Sequence, residues 1–175
     1  MTAARLILVD GYNAIRTTPA LAGRESESLE AGREALIAAL RGSTRLANDT
    51  VIVVFDGAND RSFVSVSRSA HVAMQFTPPG VTADQVIVRR AQAEARARPV
   101  IVVTNDSAIR LACEAAGCVV TRPENLLEQT ALPGRARRWD RAVSERTELP
   151  QPGPKKGNPR RAPKRHRRGP SDYRF

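Results

Sequence analysis

Apolar residues gather in four short continuous runs: Leu6-Ile7-Leu8-Val9, Val51-Ile52-Val53-Val54-Phe55, Val100-Ile101-Val102-Val103 and Cys118-Val119-Val120. Runs of this length, rich in β-branched residues, predict strands buried on both faces, as in a parallel sheet. The segment from His71 to Phe76 alternates instead, with Val72, Met74 and Phe76 on one face, and predicts a half-exposed edge strand with His71 at the surface. Between the runs the period changes. Leu29, Leu36, Ile37 and Leu40 recur at helical spacing, as do Val86, Ile87 and Ala91, and then Ile109, Ala112, Cys113 and Ala116.

Punctuation supports these elements. Thr17-Thr18-Pro19 and Gly23 predict a loop after the first strand, and Ser26 or Ser28 caps the helix that follows, which ends by Gly42 and Asn48-Asp49. Thr82-Ala83-Asp84-Gln85 reads as a capping box, with Thr82 at the cap and Gln85 three residues on. Asn105 or Asp106 caps the next helix, Gly117 stops it, and Pro123 starts a short helix through Leu126 and Leu127. Residues 58–69 are polar and carry no assignment. Strands alternating with helices predict a doubly wound parallel α/β sheet with right-handed crossovers.

Charge divides the chain. Of its 28 Lys and Arg, nine lie in residues 150–175 beside Asp172 alone, a net of +8; residues 1–149 hold 19 Arg, no Lys and 17 acids, a net of +2. The tail's basic residues include Lys155, Lys156, Arg160, Arg161, Lys164, Arg165, Arg167 and Arg168, interspersed with proline and glycine. Such a segment cannot bury a core and is expected to be disordered when unbound, while binding RNA phosphates. The expected organisation is one α/β domain over 1–132, a connector over 133–149 that forms a marginal helix around Trp139, and the tail over 150–175. Cys113 and Cys118 make neither a disulfide framework nor a metal set and read as buried apolar thiols. No signal peptide or membrane-spanning run is visible, so a soluble, cytoplasmic protein without a membrane partner is expected.

The strand ends carry the candidate chemistry. A parallel sheet sends all its strand C-termini to one edge, where ligands bind. Asp10, Asp56 and Asp106 converge there with Asn13 and Asn105, and Asp84, at a helix start after the edge strand, can join them. Four carboxylates at one edge repel each other unless something compensates. Hard oxygen ligands suit Mg²⁺ or Mn²⁺, which keep several waters and leave room for phosphate oxygens. Such a metal can activate water and steady an in-line phosphoryl displacement. No Ser/His/Asp or Cys/His arrangement competes, and GxGxxG and GxxxxGK[ST] are absent. The bland alternative is that each Asp only caps a helix or turn.

The ordered series Leu8-Val9-Asp10-Gly11-Tyr12-Asn13, Val53-Val54-Phe55-Asp56-Gly57, Thr82-Ala83-Asp84 and Val103-Thr104-Asn105-Asp106 resembles the NYN domain, in its YacP-like branch within the PIN-like nuclease group. The resemblance covers roughly residues 4–130. It implies a three-layer PIN-like fold whose mainly parallel sheet of five strands runs 3-2-1-4-5 with helices on both faces. It also implies metal-dependent endoribonuclease activity with Mg²⁺ or Mn²⁺. Carried over by position, Asp10, Asp84 and Asp106 match the family's acidic metal site, Asn13 its strand-end asparagine, and Asp56 its second Asp-Gly. Many members carry two consecutive acids after the Thr-Ala, and here the second is Gln85. That substitution means either a weaker second-metal position or a better cap.

The catalytic set expected is therefore Asp10, Asp84, Asp106 and Asn13, with Asp56, Asn105 and Gln85 as additional candidates. Arg110, one helical turn beyond Asp106, is expected to meet the RNA backbone together with the tail. The alternative is an inactive nuclease-like protein that binds RNA, the ribosome or another ribonucleoprotein. A phosphatase using Asp10 as nucleophile ranks below both, because position 12 is Tyr rather than Asp and residues 1–149 contain no Lys.

Overall fold

The structure, a computed structural model, describes residues 4–57 and 71–131. Its strands are β1 (Leu6–Asp10), β2 (Thr50–Phe55), β3 (Val72–Phe76), β4 (Val100–Val103) and β5 (Val119–Thr121). They form one sheet in the order β3-β2-β1-β4-β5, and every pairing is parallel. The expected topology and the edge position of β3 are both found.

Leu6 to Val9 are fully excluded from solvent, which explains why β1 reads as an unbroken apolar run. Its alternate residues serve two cores. Ile7 and Val9 join Val51, Val53 and Phe55 on one side, and Leu6 and Leu8 join Ile52 and Val54 on the other. The helices α1 (Gly11–Thr17), α2 (Pro19–Glu27), α3 (Leu29–Arg41) and α6 (Pro123–Ala131) supply Ala14, Ile15, Leu21, Leu36, Ile37, Leu40 and Leu126 to the first core. The second core takes Ala83, Ile87 and Ala91 from α4 (Ala83–Glu94) and Ile109 and Cys113 from α5 (Ser107–Ala115). Each fully buried Leu, Ile or Val contributes about 1.5–3 kcal/mol of burial energy, so the two faces together dominate stability.

Chain direction decides where a ligand can enter. The strands step outward from β1 to β2 to β3, and the chain then returns to place β4 on the other side of β1. The C-terminal ends of β1 and β4 therefore flank the switch point, where open α/β sheets bind their ligands. At the opposite edge the buried carboxylate of Asp49 accepts from Arg5 Nε at 2.7 Å and from Nη2 at 3.0 Å, tying the entry of β2 to that of β1.

Some expectations are corrected. The loop expected around Thr17-Thr18-Pro19 and Gly23 is the junction of two helices. Pro19 occupies the first turn of α2, where its missing N–H costs nothing, and Gly23 sits inside that helix. Ser28, not Ser26, caps α3, its hydroxyl accepting from Ala31 N at 3.0 Å. Leu29 is 50% exposed, so the buried stripe of α3 begins later, with Gly32, Leu36, Ile37 and Leu40. His71 is half-buried rather than at the surface, and its Nε2 is enclosed without a hydrogen-bond partner among the described residues. Cys118 lies one residue ahead of β5, and α6 continues to Ala131, past the short helix expected.

Cys113 and Cys118 are buried free thiols, as expected, and burial pushes Cys113 up to about 12. Gly117 has φ +87°, the left-handed geometry that ends α5. At Gly11 a Cβ would overlap the Phe55 ring, so only glycine lets the chain turn into α1 directly above β2. No helix among the described residues is long and apolar enough to cross a membrane. The expected connector, the whole basic tail and residues 58–70 lie outside the described residues.

Candidate active site

Asp10 ends β1 and caps α1, with Oδ1 accepting from Asn13 N at 3.3 Å. Its Oδ2 accepts from the hydroxyl of Thr104 at 3.2 Å. Thr104 is fully buried just past β4, and its oxygen in turn accepts from Asp106 N at 3.0 Å. One hydroxyl thus joins the two strand ends across the switch point. Burial is the largest influence on Asp10 and raises its carboxyl from 3.8 to about 6; the bonds from Asn13 and Thr104 work against this, while the charges of Asp84 and Asp56 add to it.

Asp84 lies exposed in the first turn of α4. Its carboxyl is also raised, first by the partial desolvation it meets at the helix start and then by the charges of Asp106 and Asp56. Asp56, past the end of β2, accepts from Ala83 N at 2.6 Å, which pins the start of α4 and so positions Asp84. Asp106 caps α5 through one oxygen, Oδ1, which accepts from Ala108 N at 2.8 Å and Ile109 N at 3.0 Å. The structure therefore brings all four acids to one edge, near enough to perturb one another. Among the described residues none of them has an Arg or Lys partner.

The other expected residues divide. Asn13 faces β4: its Oδ1 accepts from Asn105 N at 2.9 Å, and Asn105 Nδ2 donates to Glu124 Oε1 at 3.1 Å. Gln85 turns back into the capping box, its Oε1 accepting from Thr82 N at 3.4 Å while Gln85 N donates to the Thr82 hydroxyl at 3.3 Å. Gln85 thus serves the helix start. Arg110 Nη2 lies 3.8 Å from Glu114 Oε1, further along α5. The tail residues named above lie outside the described residues.

Two residues escaped the sequence reading. Thr104 ends an apolar run in the same way as the aspartates, and that position was its signal. Glu124 stands in the first turn of α6 after Pro123, and its Oε2 is enclosed without a partner among the described residues.

Divalent cations fit this edge by chemistry rather than by a closed cage. The donors are all hard oxygens, their charges are uncompensated, and Asp10 is raised by burial and like charge together. Among the described residues, however, no three His, Cys, Asp or Glu side chains stand close enough to hold one ion together. That openness suits Mg²⁺, which keeps several waters and is held by one or two carboxylates plus substrate oxygens.

Residues 7–152 match the family model of the YacP-like NYN domain. The YacP protein of Bacillus subtilis (strain 168) is 34% identical over 88 residues, which is 50% of this chain and 52% of that protein, so the match spans about half the length of the relative. The crystal structure of Rae1 (YacP) from Bacillus subtilis superimposes with a TM-score of 0.60 at 28% identity, covering 81% of this chain and 79% of that one. A tryptophan-to-leucine mutant of the same protein gives a TM-score of 0.59 at 27% identity, covering 82% and 79%.

Proposed function

Because this chain belongs to the YacP-like NYN family, whose domain is nuclease-like, we propose that the acid edge is the active site of a Mg²⁺- or Mn²⁺-dependent endoribonuclease. The observation that carries the reading is four carboxylates around the switch point with no cationic partner among the described residues. A fold maintains such repulsion at a cost, and a site that receives a cation accounts for it.

Asp10, Asp84 and Asp106 would hold the metal between them, one or two carboxylates directly and the rest through its waters, as the open spacing of the acids requires. When bound, it supplies charge for the phosphodiester oxygens and lowers the pKa of water. The chain's own residues supply placement. Thr104 and Asn13 N orient the Asp10 carboxylate, and the same Thr104 oxygen fixes the backbone from which Asp106 projects. Asp56 sets the start of α4 and with it Asp84. Asn13 holds the turn after β4 through Asn105, leaving its Nδ2 without a partner among the described residues and able to donate to a phosphate oxygen. The domain ends near residue 132 in this reading, and the basic tail carries the RNA or a ribonucleoprotein to the edge.

The deciding experiment is cleavage of a mixed RNA pool with Mn²⁺, Mg²⁺ or EDTA, alongside Asp10→Asn. Cleavage that needs the metal and falls roughly a thousandfold in the mutant, about 4 kcal/mol of transition-state stabilisation, supports the reading. A second reading, an inactive RNA- or ribosome-binding protein, draws on Gln85 being engaged as a cap and on the open acid set. Tight RNA binding without metal-dependent cleavage selects it.

A further inference from the structure

Beside the acids, the sheet's C-terminal edge carries a second chemistry, on the face covered by α1 and α3. Tyr12, Phe55 and Phe76 line up across the ends of β1, β2 and β3. Tyr12 meets Phe55 edge-on, with centroids 5.1 Å apart at 67°, and Phe55 stacks with Phe76 at 5.8 Å and 30°. Arg33 reaches this row from α3. Its guanidinium lies 5.3 Å from the Phe76 ring centroid, and Nη1 donates to the Tyr12 hydroxyl at 3.3 Å.

Arg33 differs from its neighbours in what meets its charge. Arg16 and Arg24 are ion-paired with Glu25 and Glu27, whereas Arg33 has no carboxylate partner among the described residues. It is half-buried, and the phenol engages one of its five N–H donors. The rings themselves are poor base-stacking platforms. Phe76 is covered by Arg33 and Phe55, and Tyr12 by Arg16, whose guanidinium stands 5.1 Å from the ring centroid. What this face of the edge offers is a fixed planar cation with donors to spare.

We infer that Arg33 binds a backbone phosphate of the RNA strand crossing the acid edge, with Tyr12 and Phe76 holding its guanidinium in place. The inference rests on the ribonuclease reading of the edge. A guanidinium fork matches two phosphate oxygens, and an aromatic seat reduces the freedom lost when it binds. Tyr12 sits two residues beyond Asp10 on the helix that Asp10 caps, so one helix start positions both the acid and the fork. An RNA strand can then place one phosphate at the acids with their cation and another on Arg33.

The test compares full-length wild type with Arg33→Met, which keeps an apolar chain over Phe76 but removes charge and donors. Affinity for a short single-stranded oligouridylate is measured in EDTA across a salt series, with thermal melting as the control. The expected result is affinity weaker by about tenfold, the size of one charge-assisted contact, and a log–log salt slope shallower by about 0.7. Arg33→Lys should recover part of the affinity because it keeps the charge. Should Arg33→Met not fold, Tyr12→Phe takes its place, and a weakening of about threefold is expected from loss of the hydroxyl's grip. Unchanged affinity and slope in the folded variant overturn the inference, even if the wild type cuts RNA and the ribonuclease reading stands. If the wild type cuts no RNA with any metal while Arg33→Met still loses affinity and slope, the phosphate contact stands and the catalytic reading falls.

Discussion

Asp10→Asn is expected to make the metal-free protein more stable at neutral pH. The Asp10 carboxyl is raised from 3.8 to about 6, mainly by burial. At 1.36 kcal/mol per unit, holding it ionised costs the fold about 3 kcal/mol. The folded carboxyl takes up a proton more readily than the unfolded chain does. Stability therefore falls as pH rises from the unfolded value through about 6, and levels off above it. Asparagine keeps an oxygen for Asn13 N, but its amide must face Thr104, whose hydroxyl hydrogen loses its acceptor. That loss costs about 1–2 kcal/mol, which leaves a net gain of about 1–2 kcal/mol. For a domain of this size the melting temperature should rise by roughly 3–8 °C. Calorimetric melts in EDTA at about pH 7.5 and about pH 4.5 measure it, and the gain should largely vanish at the lower pH. A mutant that melts no higher than wild type at the upper pH, or one whose gain ignores pH, would refute the idea that Asp10 carries a buried charge penalty.

Mn²⁺ at about 100 times its Kd should stabilise the wild type by about 2.7 kcal/mol, and Asp84→Asn should reduce that gain; a wild-type melting temperature that ignores millimolar Mn²⁺ counts against a shared metal site. Thr104→Val removes a buried hydroxyl that serves both Asp10 and Asp106 N, so chemical denaturation should show a loss of about 1–3 kcal/mol, with RNA cleavage lowered as well. Deleting residues 150–175 should flatten the log–log salt slope of RNA binding by about 3.5, if roughly five of the nine basic side chains meet phosphates, without altering the far-ultraviolet dichroism of the folded domain.

Most of the fold could be read from the chain because its central strands are buried on both faces. Leu6 to Val9 and Val51 to Phe55 show the unbroken apolar runs that this environment selects. Residues 11–27 misled because their signals are helix signals of an unusual order. Asp10 caps a seven-residue helix, Thr18 ends it, and Pro19 begins the next, so a turn-like Thr-Thr-Pro marks a junction rather than a loop. The convergence of Asp10, Asp56, Asp84 and Asp106 followed from topology alone, since parallel strands share one C-terminal edge. Which oxygen faces which donor did not follow. The hydroxyl of Thr104 and the enclosed Oε2 of Glu124 depend on a contact between residues 94 positions apart and on how α6 seats, and no local pattern records either. Gln85 was legible as a cap, and its side chain makes the box that Thr82 and its spacing foretold.

Capping and metal binding have been treated as rival explanations for strand-end aspartates, and the oxygen-by-oxygen geometry shows that they need not compete. Asp106 gives Oδ1 to two backbone N–H groups of α5, and Asp56 gives Oδ1 to Ala83 N, while the second oxygen of each has no partner among the described residues. A carboxylate has about four lone-pair sites, so one oxygen can hold a helix start while the other faces a ligand. The cap then does more than satisfy an amide. It locks the side-chain torsions, so the free oxygen is presented from a fixed position and loses little freedom on binding. Asp10 alone has both oxygens engaged, by Asn13 N and by the Thr104 hydroxyl, and it is also the one pushed to about 6. A cation approaching Asp10 must therefore share an oxygen that already accepts a hydrogen bond, whereas at Asp106 and Asp56 it meets an unengaged oxygen. Within the proposed reading, Asp106 and Asp56 would each offer a metal an unengaged oxygen, and Asp10 would be the acid whose charge the metal relieves.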